Sequence, residues 1–340
     1  MTDRRRDRGI ALAAAVFALV LLAALLAGLW FGAFQEYRAG MNVVRDRRAF
    51  DAAEAGLDAT LAGWHAGALN RLAVSDSAMF SGLLDGGTAE YSGLVQRLGP
   101  WLFLIRSTGL DASGSSRRTL GVVARLVPLR LRVKAALVAS GPVRIDAGAQ
   151  VDALVADTGG ACAGPSPAAG VVLGDAAGLV MSGCTAGSCL RGNPAWSVDT
   201  ALRNSPVPLL GEGGWTSLMS VADTLGYGNV PSSASPVWYA PGDYSPPLET
   251  GAGPVVLLVR GDLVMETGVR LSGLAVVRGR LIMRGAGGSF VGSVLAGGAE
   301  LSALSGSQAG LVHSPCAVER ALLAAAPAKP LTERSWTALY

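Results

Sequence analysis

The chain has 340 residues, of which 50% are hydrophobic, 6% aromatic and 16% charged, with a formal net charge of +3 and a mean hydropathy of +0.40. So small a positive surplus, with no basic patch interleaved with aromatics, gives no reason to expect a nucleic-acid partner. Forty-six glycines beside so few aromatics point to a turn-dense β architecture and away from a helical bundle.

Arg4, Arg5, Arg6 and Arg8 precede an uncharged apolar run from Ile10 to Phe34. About 25 residues at 1.5 Å each rise about 37 Å, enough to cross a hydrocarbon core of about 30 Å with some tilt. The run is too long for a secretory signal peptide and leads directly into more helix, so it reads as a retained anchor. After Phe34 no uncharged apolar run is long enough to cross a bilayer again, which leaves one span. The basic foot keeps the N-terminus in the cytoplasm by the positive-inside rule, with the bulk of the chain exported. The expected order is a leader at 1–9, a transmembrane helix at 10–34 and a stalk helix at 35–72. On the stalk, Phe50, Ala53, Leu57, Leu61 and Trp64 recur at steps of three and four, a stripe that must rest on the domain that follows.

A short basic leader ending in Gly9, an apolar helix and a helical stalk in the same sense resemble type IV pilin-like proteins, and most closely PilX-type minor pilins. The matching positions are Arg8, Gly9 and Leu12, then Glu36 and Asn42, then the A-x-x-AEA-x-L string at Ala49, Ala52, Ala53, Glu54, Ala55 and Leu57. The specific likeness ends shortly after that string. It implies cleavage by prepilin peptidase after Gly9, leaving Ile10 as the mature N-terminus. Major pilins have a glutamate as the fifth mature residue; here that position is Ala14.

Residues 73–134 read as a pilin-like α/β segment. Trp101 to Gly109 and Asp111 to Leu129 predict two antiparallel strands around a Ser/Gly break, and a short helix is expected around Tyr91 to Leu98. From Leu137 the character changes. Passages beginning at Leu137, Leu257, Leu274 and Ser293 share a form: apolar triplet, Gly, alternating strand, Gly, strand, Gly. A period of about 17 to 19 residues suits one coil of a β-solenoid. An antiparallel meander is the alternative. Val143 and Ile145, Leu263 and Met265, Leu281 and Met283 predict inward faces, and Gly141, Gly261, Gly279 and Gly297 are assigned to corners needing positive φ. Val171 to Gly183 reads as a further partial rung. The fold class is therefore α+β: a long anchor and stalk helix, then a mainly β exported domain, solenoid-like over 135–316.

An irregular insertion at about 190–253 carries Trp196, Trp215, Trp238, Tyr239 and Tyr244, expected to anchor it to its own domain, with a short helix near Ser217 to Leu225. Residues 317–340 predict an Ala-rich helix and a strand that caps the open end of the solenoid. The four cysteines are Cys162, Cys184, Cys189 and Cys316. None forms a C-x-x-C pair and His65 and His313 are the only histidines, so no metal site is expected and export argues for disulfides. Of three possible pairings, Cys184 with Cys189 is the simplest, leaving Cys162 with Cys316.

No phosphate loop, nucleophile elbow or H-E-x-x-H motif is present. The acids Asp146, Asp152, Asp157 and Asp262 do not recur at one rung position. No enzyme activity and no cofactor are expected. The expected function is a minor pilin-like subunit of a type IV pilus or related secretion filament. With Ala14 in place of the glutamate it would be tip-proximal or initiating, partnered by other pilin-like subunits, prepilin peptidase and the inner membrane. A type II secretion minor pseudopilin is the runner-up within that class. Outside it stand a membrane-anchored envelope scaffold and a tethered carbohydrate-active enzyme.

Overall fold

The structure, a computed structural model, describes residues 7–84, 87, 89–131, 133–154, 168–203, 209–225, 235–248, 253–303, 309–331 and 336–339. It opens with α1 (Asp7–Ala62), a single helix of 56 residues about 84 Å long at 1.5 Å per residue. The first proline of the chain is Pro100, so nothing removes a backbone donor along the way. The helix ends at Ala62, short of the expected residue 72. Beyond Gly63 the chain turns so that Trp64 enters the core, its indole N–H donating to Asn70 Oδ1 at 2.9 Å and its ring meeting Phe103 edge-on at 5.1 Å. A one-turn helix, α2 (Ala66–Leu69), follows, with the His65 side chain accepting from Ala68 N.

Four antiparallel strands come next: β1 (Ser77–Leu83), β2 (Ala89–Arg97), β3 (Leu102–Asp111) and β4 (Arg117–Leu126). The pair β3–β4 matches the expectation, but the helix expected around Tyr91 to Leu98 is strand β2. Its backbone pairs on both sides, with β1 and with β3, and such tertiary pairing overrides a short helical pattern. The stalk lies across this sheet. Ala49, Ala52, Ala53 and Leu57 are fully buried, and Leu57 packs with Phe103, Ile105, Val122 and Ala124. A Cβ on Gly109 would overlap the backbone of α1 at Ala49 and Ala53. The alanine string and this glycine together let helix and strand approach at backbone distance.

The larger sheet is built differently. Its early strands are β5 (Ala135–Ala139), β6 (Val143–Asp146), β7 (Ala149–Asp152), β8 (Ala169–Leu173), β9 (Leu179–Ser182), β10 (Leu190–Arg191) and β11 (Trp196–Val198). After α3 (Gly211–Met219) come β12 (Asp223–Thr224), β13 (Val237–Ala240), β14 (Val255–Val259), β15 (Leu263–Met265), β16 (Arg270–Met283), β17 (Ser289–Leu301) and β18 (Ala309–His313). Every pairing among them is parallel, which an antiparallel meander would not give. Val255 stands opposite Gly273, Leu263 opposite Leu281 and Arg270 opposite Ser289, so each ladder advances by nearly the same length of chain. The chain thus makes successive turns, each contributing to three ladders. Leu137, Ile145, Val151, Leu263, Leu281 and Val294 point into one shared interior and are buried.

The turns are not stacked in chain order. Val294 pairs with Leu137, Ala299 with Val143 and Ala309 with Ala149, so the end of the late run sits on the start of the early run. The segment between β11 and β13 therefore links opposite ends of the stack, six inter-strand steps or about 29 Å apart. This is the insertion expected at 190–253, and its bounds are narrower. Trp196 belongs to β11 and Trp238 and Tyr239 to β13, while Tyr244 bridges Leu263. Trp238 and Tyr244 are fully buried because they fill the interior at that end of the stack. The helix expected near Ser217 to Leu225 lies earlier, as α3. Its Trp215 and Leu218, together with Val318, Ala321 and Leu322 of α4 (Pro315–Ala324), cover one outer face of the stack. With the interior on the other side, that coverage explains why β5 and β14 are buried at every position.

Two further expectations are corrected. Gly141, Gly261, Gly279 and Gly297 do not take positive φ. They stack on one another, Gly279 N donating to Gly261 O at 3.1 Å and Gly141 N to Gly297 O at 2.7 Å, and a Cβ on Gly297 would lie 2.6 Å from Arg278 O. Close approach is the constraint there; positive φ falls on other glycines of the stack, among them Gly268 (78°), Gly273 (117°), Gly285 (86°) and Gly292 (145°). The C-terminal tail does not cap the stack. β19 (Ala328–Pro330) and β20 (Trp336–Leu339) pair antiparallel with β4, so the parallel stack is an insertion within the first sheet's own chain path.

Candidate assembly surface

α1 divides into two halves with different surroundings. From Leu12 to Val44 every residue is exposed, including Phe17 (65%), Leu25 (64%) and Trp30 (71%). From Ala49 onward one face is buried in the sheet. α1 is long and apolar enough to cross a membrane, and its apolar window is wholly unburied. At the end of that window Trp30 stacks on Phe34 at 5.7 Å and the Arg38 guanidinium lies 4.3 Å from the Phe34 ring centroid. Aromatics backed by a cation at the end of an apolar span suit the headgroup level of a bilayer.

The stalk is clamped where it meets the sheet. Arg118 donates to Asp46 twice, Nε to Oδ1 at 2.5 Å and Nη2 to Oδ2 at 2.7 Å, a bidentate pair. The hydrogen bond from Arg118 holds the Asp46 carboxyl below its ordinary value. Next to it, Asp111 accepts from Ser113 and from Ser116 N, and these bonds hold its pKa down to about 2. The pair fixes the turn between β3 and β4 against the helix.

Just beyond the end of the stalk, Asn70 ties the chain to the end of α4, where Leu323 and Ala326 also pack with Leu57 and Trp64. Asn70 Nδ2 donates to the carbonyls of Leu323 (3.1 Å), Ala324 (2.9 Å) and Ala326 (2.9 Å) while its Oδ1 accepts from Trp64. It thereby satisfies the Ala324 and Ala326 carbonyls at the C-terminus of α4 and adds a bond to Leu323 O, which already accepts from Ala326 N at 3.1 Å. Arg97 adds bonds to the carbonyls of Asn70 (2.8 Å), Leu72 (2.7 Å) and Pro100 (2.7 Å), and burial lowers its pKa. Asn70 does not stand out in the sequence, since its partners at the end of α4 are up to 256 positions away.

Gly9 and Ile10 fall in the opening turns of α1, and Ala14 lies on its exposed part. Cys184 and Cys189 are disulfide-bonded, Cα atoms 6.0 Å apart. Cys316, buried at the start of α4, is also disulfide-bonded; its expected partner Cys162 lies outside the described residues, as does Asp157. Of the acids named above only Asp262 joins a series along the stack, and its neighbour there is Asp243, outside that set: Asp262 N donates to Asp243 Oδ1 at 2.8 Å and Arg280 N to Asp262 Oδ1 at 2.7 Å. Among the described residues no three His, Cys, Asp or Glu side chains are gathered at metal-binding spacing.

No protein-family model and no curated protein sequence matches the chain. Among solved structures, the competence-associated pilin ComZ from Thermus thermophilus aligns over 87% of this chain and 96% of that one, at 10% identity and a TM-score of 0.26. That score is too low to equate the two folds.

Proposed function

We propose that this chain is a minor pilin-like structural subunit of a type IV pilus or related secretion filament, in the manner of PilX-type subunits. The observation that carries this reading is α1 itself. It is one unbroken helix whose C-terminal part is buried on an antiparallel sheet and whose apolar N-terminal part is bare. Such a half-bare helix serves two environments in turn, first a bilayer and then a bundle of like helices. The leader is cut after Gly9 by prepilin peptidase, leaving Ile10 first, and the span anchors the chain in the inner membrane with the β parts exported. The parallel stack is read as a β-solenoid, displayed by the pilin-like sheet into which it is inserted. No catalysis is assigned.

Ala14 argues for a position near the tip. A bundle position that expects a carboxylate opposite the next subunit's terminal amine loses several kcal/mol without it, whereas the leading subunit has no amine ahead to satisfy. Sheared filaments are expected to hold the protein at low stoichiometry, with immunogold at one end. Label along the whole length would reject the tip assignment. Recovery of the protein only from the inner membrane would favour a membrane-anchored scaffold.

A further inference from the structure

Strand β1 ends the antiparallel sheet on one side and, among the described residues, is paired only with β2. Leu84 N donates to Ala89 O and Arg97 N to Asp76 O, both in the register of the β1–β2 ladder, and bonded pairs alternate along antiparallel strands. The backbone N–H and C=O groups of Ser77, Met79, Ser81 and Leu83 therefore point out of the sheet. Edge strands are ordinarily blunted by charge or proline. Ser77–Leu83 contains neither, and Met79 is 90% and Leu83 70% exposed. The opposite edge is blunted: β19 and β20 have three and four residues, with Lys329 and Pro330 in β19.

The backbone of β1 and the space beside it define what fits there. The outward groups recur at every second residue, about 7 Å apart. Another extended chain matches that spacing, whereas a helix uses its own backbone groups internally. A groove of about 390 Å³ lies between β1 and the end of α1, with Thr60, Leu69, Phe80 and Tyr91 in its walls. A strand added to β1 would direct every second side chain to the face of the sheet on which this groove lies. A second copy does not fit. Two β1 strands paired antiparallel are related by a two-fold axis normal to the sheet, and that axis reverses the α1 helix lying across it, so the two spans would run in opposite directions.

We propose that β1 is a docking edge for an extended segment of a different chain, which adds a strand to the sheet and sets alternate apolar side chains into the groove beside Phe80 and Leu69. Backbone bonds to Ser77, Met79, Ser81 and Leu83 hold the segment, and the groove selects its side chains. This goes beyond the filament role and takes from it only the anchoring of α1 in one membrane.

The test uses the full chain in phosphatidylcholine nanodiscs and a short labelled peptide of alternating Val and Thr flanked by lysines, with binding read by fluorescence anisotropy. Two further forms carry N-methyl groups, one on every Val amide and the other on every Thr amide. Each blocks one edge of the extended peptide and leaves the other free. One form should bind within about twofold of the parent and the other at least about tenfold more weakly, the losing set reporting the direction of the added strand. Asp in place of Val should also weaken binding at least about tenfold. Met79→Pro removes an outward N–H and no ladder bond with β2, so it should abolish binding without moving thermal unfolding; if that variant fails to fold, the methylated pair on the unaltered chain carries the test. No binding of the parent, or equal binding of the two methylated forms, overturns the proposal. So does self-association of the chain in detergent that Met79→Pro reverses, which would assign the edge to a second copy.

Discussion

Asn70 carries more of the tertiary structure than its position suggests. Replacing it with Leu would take away the partner of the Trp64 indole N–H and of the Ala324 and Ala326 carbonyls, so a loss of about 2 to 4 kcal/mol is expected in chemical denaturation of the detergent-solubilised chain. Ser107 predicts the opposite sign. Its Oγ is fully buried with no hydrogen-bond partner, facing Gly56 of α1, so Ser107→Ala should be neutral or stabilise by up to about 1 kcal/mol. Asp111 sets an acid limit. Its folded pKa of about 2 lies below the ordinary 3.8, so its contribution is complete above the unfolded value and is lost as pH falls from about 4 through 2. Asp111→Asn should flatten that part of the stability–pH curve, and an unchanged slope would contradict the bonding described. None of these three residues is legible in the sequence. Asn70 bonds to backbone far along the chain and Ser107 is buried against a distant helix, while Asp111 bonds inside its own turn; in one dimension each looks like any surface Asn, Ser or Asp.

At the scale of elements, the strand phase of the parallel stack gives a contrast between neighbours. Leu281 is fully buried beside Leu263, whereas Arg280 is half exposed and pairs with Asp262 at 3.2 Å. Leu281→Asp should therefore cost several kcal/mol and Arg280→Asp about 1 kcal/mol or less. Equal shifts in thermal unfolding would mean that the inward and outward faces are misassigned. These phases are readable, because alternation and glycine spacing recur once in every turn of the stack. Strand β2 is not, since its short apolar pattern fits a helix and only pairing with β1 and β3 decides it. The tail escapes a local reading for a related reason. β20 is short, and nothing in its sequence distinguishes pairing with β4 from capping the stack.

At the scale of the molecule, the sequence announces an anchor, a stalk and a coiled β region, but not the order in which the turns stack. That order follows from Val294 meeting Leu137, a contact between distant parts of the chain that no local pattern encodes, and it turns the aromatic-rich insertion into a connection between the two ends of the stack. The same arrangement brings entry and exit of the inserted part to one place. There Ser293 Oγ donates to Ala135 O at 3.0 Å and meets His313 Nδ1 at 3.1 Å, all buried. Chain entry and exit side by side leave β4, β19 and β20 free to form one sheet on the stalk. The functional account depends on what becomes of that stalk's first turns. The most direct test is the mass of the mature N-terminus in protein recovered from cells that make prepilin peptidase. The account predicts a chain beginning at Ile10, with Gly9→Leu leaving the longer precursor in the membrane; an intact Met1 on the native protein in such cells would contradict it.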